Sequence, residues 1–563
     1  MHRKWLVNRT NQDFLEYLAR KTSVSTAFVQ ILINRGLKDP DSIKAFLNPS
    51  IDNLHDPFLM PDMKIAVERI MTAVGKGETV FVHGDYDADG ITSTALLVSA
   101  LRELSLKTHY YIPNRLSEGY GFNMPGIQKA TQCGAGLVIT VDCGISSKKE
   151  VSEANSLGID VIITDHHEPP QELPPALAVI NPHRIDSTYP FKHLAGVGVV
   201  YKLVQALTQP SSLNLQPSSF LDLVTIGTIA DSVPLTGENR VLAAYGLKEL
   251  NSRNCRTGIH ALIEAAGINN GKELKSGTLS YTIIPRINAA GRLGDASEVV
   301  ELFLTTDEAK AKGIAAFLGT QNKDRQRVEE EVYKSAVSMI DAGNPGNAIV
   351  LYSPAWHQGV LGIVASRLVE EFYRPAFVFS VDGAAAKGSA RSIPPFHIYN
   401  GIAECAGLLL AFGGHSQAAG VKILTENLPA FKNQMNSIVE RDLNDDALTP
   451  VLEIDAAVDL FEVTFNLVRE LGMLEPFGSA NEAPLLGVKG LEAVDPRVVG
   501  NSHLKMRLKQ KSLSMDTIGF NMSELLEKIE DSYTLDAAFV PCINEWNSSR
   551  ILQLNLKAVR PST

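Results

Sequence analysis

Three aspartates crowd into one short stretch, HGDYDADG at residues 83–90. Asp85, Asp87 and Asp89 lie within five residues, and His83 comes just before them. Carboxylates this close repel one another, so a cationic partner must hold them together. An apolar run, TVFV, comes directly before the stretch and predicts a strand that ends at the acidic residues. The pattern therefore predicts a cation site at a strand end.

Three other apolar runs also stop at an acid or a histidine: LVITVD at Asp142, DVIITDHH at Asp165–His167, and IGTIAD at Asp231. Parallel strands would bring these ends together, and ligands bind beyond the carboxyl ends of such strands. Hard oxygen ligands mixed with imidazoles suit Mn²⁺ or Mg²⁺. The carboxylates are numerous enough for two ions, which at a separation of about 3.5–4 Å clamp the two oxygens of a phosphoryl displacement. The pattern favours metal-dependent phosphoester hydrolysis.

Simpler explanations exist for each residue taken alone. An aspartate at a strand-to-helix turn is often only a helix N-cap, and a His-His pair is often surface. An EF-hand loop starting at Asp85 would need glutamate at its twelfth position, which is Leu96. It is the occurrence at four strand ends that favours a metal site over these alternatives.

The surrounding pattern predicts an α/β protein. Short β-rich runs alternate with helical stretches from about residue 78 to 235, which is typical of a parallel sheet. The proline-free residues 306–342 predict a long helix, with an interruption near Gly319. A second α/β unit follows, and short strands after residue 446 predict a small barrel.

We therefore predict a parallel-sheet domain and a smaller α/β domain joined by a long helix, followed by a C-terminal β-barrel of OB type. The predicted parts are an N-terminal helical segment (1–70), the catalytic domain (71–300), the linking helix (301–345), the second α/β domain (346–445) and the barrel (446–563).

Composition limits the class of protein. The 563 residues carry a net charge of −11, which argues against a uniformly basic surface but leaves room for a basic groove. The five cysteines include no C-x-x-C pair, which favours a reducing compartment. The start, MHRKWLVNRT, has no apolar h-region, and no apolar run reaches the ~20 residues of a membrane span. We expect a cytoplasmic protein.

The motifs DYDADG, TVDCG and TDHH closely resemble those of the DHH phosphoesterase superfamily. Downstream, GSARS and FGGHSQAAG are similar to the DHH-associated domain, and nearly the whole chain resembles the RecJ family. The resemblance implies a single-stranded-DNA-specific 5′→3′ exonuclease of DNA repair and recombination that uses two Mn²⁺ or Mg²⁺ ions and releases 5′-mononucleotides. It also implies a helicase and a single-strand-binding protein as partners. The alternatives are a DHH phosphodiesterase acting on oligonucleotides or cyclic dinucleotides, and an inactive DNA-binding scaffold.

The resemblance also assigns roles at the metal site. His83, Asp87 and Asp142 resemble the ligands of one ion, and Asp142 bridges to a second ion. Asp85 is expected to orient His83 or a metal-bound water. His167 is expected to contact the scissile phosphate, so the implied catalytic residues are Asp87, Asp142, His166 and His167. The implied ligands of the second ion are Asp89, Asp142, His166 and Asp231.

The DNA-binding candidates come from several segments. Arginine with small hydroxyl neighbours makes a good phosphate cradle, and the resemblance points to a 5′-phosphate pocket. Without it, Arg391 reads as a surface arginine. We expect Ser389 and Arg391 to lie near the start of the helical part of the second α/β unit. The candidates for the pocket and its surroundings are Arg286, Asn288, Arg292, Ser389, Arg391, His415, Arg115 and Tyr120.

The clearest DNA signal read from residues alone is SHLKMRLKQK at 502–511. In a strand, Lys505, Arg507 and Lys509 share one face, which suits tracking along a single-stranded backbone. A solvated strand face, or a charged edge that guards against aggregation, is the competing explanation. The G-x-G of GVGVVYKL at 196–203 is weak evidence for a dinucleotide site, and we read it as close helix packing.

Overall fold

A five-stranded parallel sheet positions the acidic motifs in the computed structural model, which describes residues 3–562 except 116, 209–214, 253–254, 269–272, 342–343, 531 and 547–548. Its strand order is β3-β2-β4-β5-β6. The strands other than the edge strand β3 are nearly continuous apolar runs, as expected where both sheet faces are covered. Their bounds are β2 (Thr79–His83), β3 (Lys107–Tyr111), β4 (Ala135–Val141), β5 (Asp160–Thr164) and β6 (Ala178–Ile180).

Helices cover this sheet and build a large all-helical part behind it. The buried helix α5 runs against the sheet and packs on α8 and α9. A π-helical turn, Leu279–Ile283, separates α12 from α13. The helices are α4 (Met63–Lys76), α5 (Ala88–Glu103), α6 (Met124–Gln132), α7 (Lys148–Ser156), α8 (Gly196–Leu207), α9 (Leu221–Ala230), α10 (Gly237–Asn251), α11 (Thr257–Ala265), α12 (Ser276–Thr278), α13 (Ile284–Leu293) and α14 (Ser297–Leu304).

The predicted long helix is present as α15 (Glu308–Ser338), 31 residues in length. The expected interruption near Gly319 is wrong, because the helix runs through that residue. A single glycine costs only about 1 kcal/mol, which the packing of Ala311, Ala315 and Leu318 offsets.

The second α/β unit is a mixed sheet in the order β10-β11-β9-β8-β7. Only β7 and β8 are parallel, and the other neighbours are antiparallel. Helices α17 and α18 cover one face, and α16 covers part of the other. The elements are β7 (Ile349–Ser353), α16 (Leu361–Phe372), β8 (Ala376–Asp382), β9 (Ala385–Arg391), α17 (Ile398–Glu404), β10 (Leu409–Gly414), β11 (Ala418–Leu424) and α18 (Leu428–Asp442).

The C-terminal part is the predicted β-barrel. Five strands follow the order β14-β15-β16-β18-β17, and pairing between β14 and β17 closes the barrel. Closure removes free sheet edges. The elements are β12 (Val451–Ile454), β13 (Ala456–Ala457), α19 (Phe465–Gly472), β14 (Leu486–Val499), β15 (His503–Gln510), β16 (Leu513–Gly519), α20 (Leu526–Glu530), β17 (Leu535–Trp546) and β18 (Ser549–Pro561).

The N-terminal segment is not helical throughout. It begins with a strand, β1 (Lys4–Val7), which pairs in parallel with β12, more than 400 residues away. Its helices, α1 (Gln12–Thr22), α2 (Thr26–Asn34) and α3 (Pro40–Leu47), share a hydrophobic core with the barrel. Among the described residues, no helix combines the length and the apolar character needed to cross a bilayer.

Candidate metal centre and nucleic-acid interface

The three strands that end at acidic motifs are adjacent in the sheet. Strand β2 lies beside β4, and β4 lies beside β5. Their carboxyl ends therefore bring HGDYDADG, Asp142 and Asp165–His167 to one edge, as the sequence predicts.

Asp231 reaches this edge in a different way. The run before it is not a strand but helix α9, and Asp231 is its C-cap. The prediction of a fourth strand end is therefore wrong, although the side chain does join the site. A short apolar run without polar alternation fits a buried helix as well as a buried strand, so periodicity could not separate the two.

His166 is the centre of one group of potential ligands. Its Nε2 atom lies 3.1 Å from Asp142 Oδ1, 3.6 Å from Asp231 Oδ2 and 3.9 Å from Asp89 Oδ2. One ligand atom each from Asp89, His166 and Asp231 lies within 4.8 Å of the others, as does one each from Asp142, His166 and His167. These are distances that a shared cation could span.

A second group forms around the other side of Asp142. Ligand atoms of Asp85, Asp87 and Asp142 lie within 4.8 Å of one another. Asp85 is thus as close to a possible ion as the predicted ligand Asp87. The predicted ligand His83 is in none of these groups of described residues. It is fully buried, its ring packs against Phe122, and a Cβ at Gly126 would lie 2.4 Å from its Cδ2 atom.

Burial and crowding dominate the electrostatics of the site. Burial first, and the neighbouring carboxylates second, raise the pKa of Asp89 to about 7 and that of Asp231 to about 9, and they raise the pKa of Asp85 and Asp142 as well. Burial lowers the pKa of His166 to about 3 and that of His83 to about 4, so both imidazoles are neutral. Neutral imidazoles and carboxylates that lack a counter-charge are the state in which cations bind best.

Several buried polar atoms at the site have no hydrogen-bond partner within the described chain. They are Nε2 of His83, Oδ1 of Asp85, Oδ1 of Asp142 and Nε2 of His166. Buried polar atoms are normally satisfied, so a cluster of exceptions marks a missing ligand. The donor set of carboxylates and imidazoles fits divalent cations such as Mn²⁺ or Mg²⁺.

Asp165 holds His167 in place, a role that the sequence did not reveal. Its Oδ1 lies 2.7 Å from Nδ1 of His167 and also accepts from the backbone N–H groups of His166 and His167. Burial would lower the pKa of His167, but the hydrogen bond and charge of Asp165 raise it to about 9. His167 is therefore a protonated imidazole beside the carboxylate cluster.

Tyr120 was predicted to contact DNA, but its hydroxyl contacts the site directly. It lies 3.1 Å from Nδ1 of His167 and donates to the backbone oxygen of Asp142 at 3.2 Å. Half of the side chain remains exposed, at 49%. A stacking role is compatible with this position, and the structure adds a link between the two motifs.

Backbone N–H groups at the amino end of α8 bind the carboxylate of Asp89. The N–H groups of Gly196 and Val197 donate to its two carboxylate oxygens at 2.7 and 2.9 Å. A Cβ at Gly196 would lie 2.5 Å from Oδ1 of Asp142, so only glycine fits there. The first glycine of GVGV is therefore part of the site rather than only a helix-packing residue. The sequence feature that could have predicted this role is a glycine at the start of a helix, where backbone N–H groups bind anions.

Four arginines interact electrostatically with one another beside the acidic loop, and we call them the arginine row. Burial first, and then the charges of Arg115, Arg325 and Arg391, lower the pKa of Arg292 to about 10, while Asp87 opposes them. Arg115 lies over the ring of Tyr86 at 5.0 Å. Clustered arginines that repel one another are stabilised by a bound anion, and arginine side chains bind phosphate well.

The other predicted pocket residues divide into two groups. Ser389 and Arg391 lie on strand β9, so their predicted place at the start of a helical part is wrong. Arg391 donates to Ser389 Oγ at 3.2 Å, and the amino end of α16 packs over both. His415 is exposed in the turn between β10 and β11. Asn288 instead accepts from the N–H of Ala88 and braces the acidic loop, while Arg286 bonds to Thr282 of its own helical segment.

The barrel cations alternate as predicted. Leu504, Met506 and Leu508 are buried, while the cations of β15 point outward. Two of these cations have acidic neighbours, since Lys509 lies 2.8 Å from Glu492 and Arg507 lies 3.6 Å from Asp516. Exposed pairs of this kind are weak, so both cations remain available to phosphates.

The chain is similar to curated bacterial proteins over most of its length. It is 39% identical to the single-stranded-DNA-specific exonuclease RecJ of Bacillus subtilis over 559 residues, covering 98% of this chain and 70% of that protein. It is 35% identical to the Escherichia coli RecJ over 520 residues, covering 88% and 90% of the two chains. The chain belongs to the RecJ family.

RecJ-family domains account for most of the described fold. The DHH family N-terminal domain matches residues 79–228, the DHHA1 domain 346–441 and the RecJ OB domain 454–558. These spans lie within three of the predicted parts, whose boundaries stay predictions.

Solved RecJ structures share this architecture. The Thermus thermophilus RecJ in complex with Mn²⁺ superposes with a TM-score of 0.87 at 30% identity, covering 100% of this chain and 80% of that one. The same RecJ in complex with Mg²⁺ gives a TM-score of 0.81 at 29% identity, covering 100% and 79%.

Proposed function

We propose that this protein is a single-stranded-DNA-specific exonuclease that hydrolyses phosphodiester bonds from the 5′ end and releases 5′-mononucleotides. One observation carries the proposal: five aspartates and His166 bring their ligand atoms together at one sheet edge, and buried atoms of Asp85, Asp142 and His166 lack a hydrogen-bond partner among the described residues. The arginine row lies beside that edge, where its charges suit a nucleic-acid backbone. Membership of the RecJ family supplies the substrate class.

We propose that the site holds two Mn²⁺ or Mg²⁺ ions. Asp142 lies between the two groups and is the shared ligand, with Asp85, Asp87 and His83 on one side. Held there, divalent ions supply Lewis acidity that lowers the pKa of water and offsets charge on phosphoryl oxygens. The ligands on the other side are Asp89, His166 and Asp231.

The protein's own groups position the phosphate. Asp165 accepts a hydrogen bond from Nδ1–H of His167, which leaves Nε2–H free to donate to a phosphoryl or leaving oxygen. The Tyr120 hydroxyl contacts both the His167 ring and the Asp142 backbone and so fixes their relative positions. A misplaced imidazole would lose this donation without any change at the metal ligands.

The pocket for the 5′ end lies beyond the carboxylates. Arg292, Arg391 and Ser389 would bind the terminal phosphate, with His415 and Arg115 at its margins. The basic face of β15, with Lys505, Arg507 and Lys509, would track the strand farther along. A single strand meets these groups with its backbone and bases free, whereas a duplex keeps its bases paired.

We also propose a cytoplasmic location and cooperation with a helicase and a single-strand-binding protein. An enzyme restricted to single strands needs them unwound and kept open. The role in DNA repair and recombination follows from that substrate.

Product analysis tests the proposed function. Purified protein with Mn²⁺ should convert a 5′-phosphorylated single strand into 5′-mononucleotides, starting at the 5′ end, and leave a blunt duplex intact. EDTA should stop the reaction. Binding without cleavage would favour an inactive scaffold, and cleavage of dinucleotides alone would favour a small-substrate phosphodiesterase.

A further inference from the structure

One half of a sheet face in the second α/β unit is uncovered. Helix α16 packs on β8 and β9. Its Leu361 and Val364 belong to the same buried cluster as Leu351 of β7 and Val378 of β8. Strands β11 and β10 continue the same face beyond β9. A Cβ built at Gly413 or Gly420 would meet nothing within 4 Å, so the space above these strands is open.

The open face is continuous with the proposed 5′-phosphate pocket. Side chains two residues apart on a strand share a face, so Lys387 of β9 lies on the side of Ser389 and Arg391. Across the sheet, Lys422 of β11 is directly opposite Lys387, and Gly420 is opposite Ser389. The floor between them is formed by small residues.

Lys387 and Lys422 form an unusual pair. Both are exposed, and neither has an acidic partner in the part of the chain that the structure describes. Like charges directly opposite on neighbouring strands destabilise a sheet. In a chain of net charge −11, acidic partners are abundant, so an unneutralised pair points to an external anion.

The position of the lysine pair relative to Arg391 indicates which anion it binds. From the carboxylates, the cations run through Arg292 to Arg391 and then along β9 toward Lys387. The Cα atoms of Arg391 and Lys387 are about 13 Å apart along an extended strand. A nucleic-acid strand with a single 5′ phosphate bound at Arg391 would place no group near Lys387. A strand with further phosphates at its 5′ end would.

We propose that this open face extends the 5′-end pocket and that Lys387 and Lys422 bind the outer phosphates of a 5′-triphosphorylated strand. The proposal rests on the proposed function for the position of the first phosphate. Hydrolysis then adds water across the first phosphodiester bond. The products are a nucleoside 5′-triphosphate and a strand shortened by one nucleotide with a new 5′ phosphate.

Binding without divalent metal tests the proposal independently of catalysis. Single strands of one sequence, labelled at the 3′ end and carrying a 5′ triphosphate or a 5′ monophosphate, are titrated with the full-length protein in EDTA. We expect the triphosphate strand to bind about tenfold more tightly because it gains two charge-assisted contacts. Equal affinity, or weaker binding of the triphosphate strand, would overturn the proposal.

Two double variants assign the effect to the lysines. Lys387→Ala/Lys422→Ala should bind the two strands with equal affinity. Lys149→Ala/Lys432→Ala removes the same charge from exposed helix positions and should keep the wild-type ratio. If both variants lose the ratio, or if neither does, the assignment fails. The first variant should melt at or above the wild-type temperature, since it removes a repulsive pair.

The first product distinguishes this proposal from the proposed function. With Mn²⁺, the wild-type protein should release a nucleoside triphosphate first from the triphosphate strand. Degradation of the monophosphate strand alone would refute the extended pocket and leave the exonuclease intact. Failure to degrade either strand would refute the exonuclease, and the metal-free binding ratio would still decide the extended pocket.

Discussion

Nε2 of His166 lies 3.1 Å from Oδ1 of Asp142, and both buried atoms lack a hydrogen-bond partner among the described residues. The two residues come from neighbouring strands, so the sheet itself sets this distance. A neutral imidazole facing a carboxylate oxygen is a pair of ligand atoms without an ion. Asp142 also reaches the group of Asp85 and Asp87, which makes it the link between the two halves of the site.

Asp142→Ala should abolish cleavage, with a loss in kcat of at least about a thousandfold, because both cation positions lose a shared ligand. Binding of a single strand should fall far less, since the arginine row and the barrel are untouched. The control is Asp324→Asn, which removes an exposed carboxylate from α15 and should keep full activity. Near-normal turnover in Asp142→Ala would refute its bridging position.

Asp165→Asn should lower kcat by about 10- to 100-fold and leave KM nearly unchanged, because it releases the His167 ring without removing a proposed metal ligand. Asp165 raises the pKa of His167 to about 9, so the variant should lose activity at lower pH as His167 deprotonates. The effects of Asp165→Asn and His167→Gln should not add in the double variant. Additive effects, or an unchanged alkaline limb of the pH profile, would contradict this positioning role.

Metal-free protein should become less stable as pH rises. The folded-state pKa of Asp89 is raised to about 7 and that of Asp231 to about 9, so at these two carboxylates the folded state binds more protons than the unfolded chain above about pH 4. The lowered pKa values of His83 and His166 oppose this effect only below about pH 6.5. Stability is therefore lost as pH rises through the pKa values of the two aspartates. Bound Mg²⁺ favours the ionised carboxylates and removes this penalty.

The measurement is the melting temperature in EDTA and in saturating Mg²⁺ between about pH 5 and about pH 8. The stabilisation by Mg²⁺ should grow with pH across this range and should be much smaller in Asp142→Ala. A Mg²⁺ effect that is constant or that shrinks with rising pH would contradict the assignment of these carboxylates as ligands.

Gly196→Ala should impair the site although alanine is a small residue. Its Cβ would lie 2.5 Å from Oδ1 of Asp142, which must then move away from His166. We expect a tenfold or larger rise in the Mn²⁺ concentration needed for half-maximal activity, by analogy with losses of about 10- to 100-fold when groups that orient ligands are removed.

The matched control for Gly196→Ala is Gly313→Ala in α15, where a Cβ meets nothing within 4 Å. It should be neutral or stabilise the protein by up to about 1 kcal/mol, with unchanged metal dependence. If the two variants behave alike, the close approach of Gly196 to Asp142 has no functional weight.

The sequence predicted the elements whose signals are local. The apolar runs ending at Asp142 and Asp165 had the length of a strand and were bounded by polar residues, and they form the expected strands. Alternation of cations and apolar residues in β15 likewise predicted its exposed face. These features depend on residues close together in the chain.

The errors arose where the deciding contacts are distant. Strand β1 exists because it pairs with β12 at the other end of the chain. The GSARS stretch of β9 has no β-branched residue, and its strand conformation comes from pairing on both sides. Gly196 and Asp165 were missed because their roles depend on which side chains the fold places against them.

Anomalous diffraction from crystals soaked in Mn²⁺ tests the central claim most directly. Data collected at the manganese edge should show two peaks with Asp142 between them, one beside Asp89, His166 and Asp231 and one beside Asp87, at a separation of about 3.5–4 Å. A map with no manganese within coordinating distance of Asp142 at saturating Mn²⁺ would contradict the two-ion site.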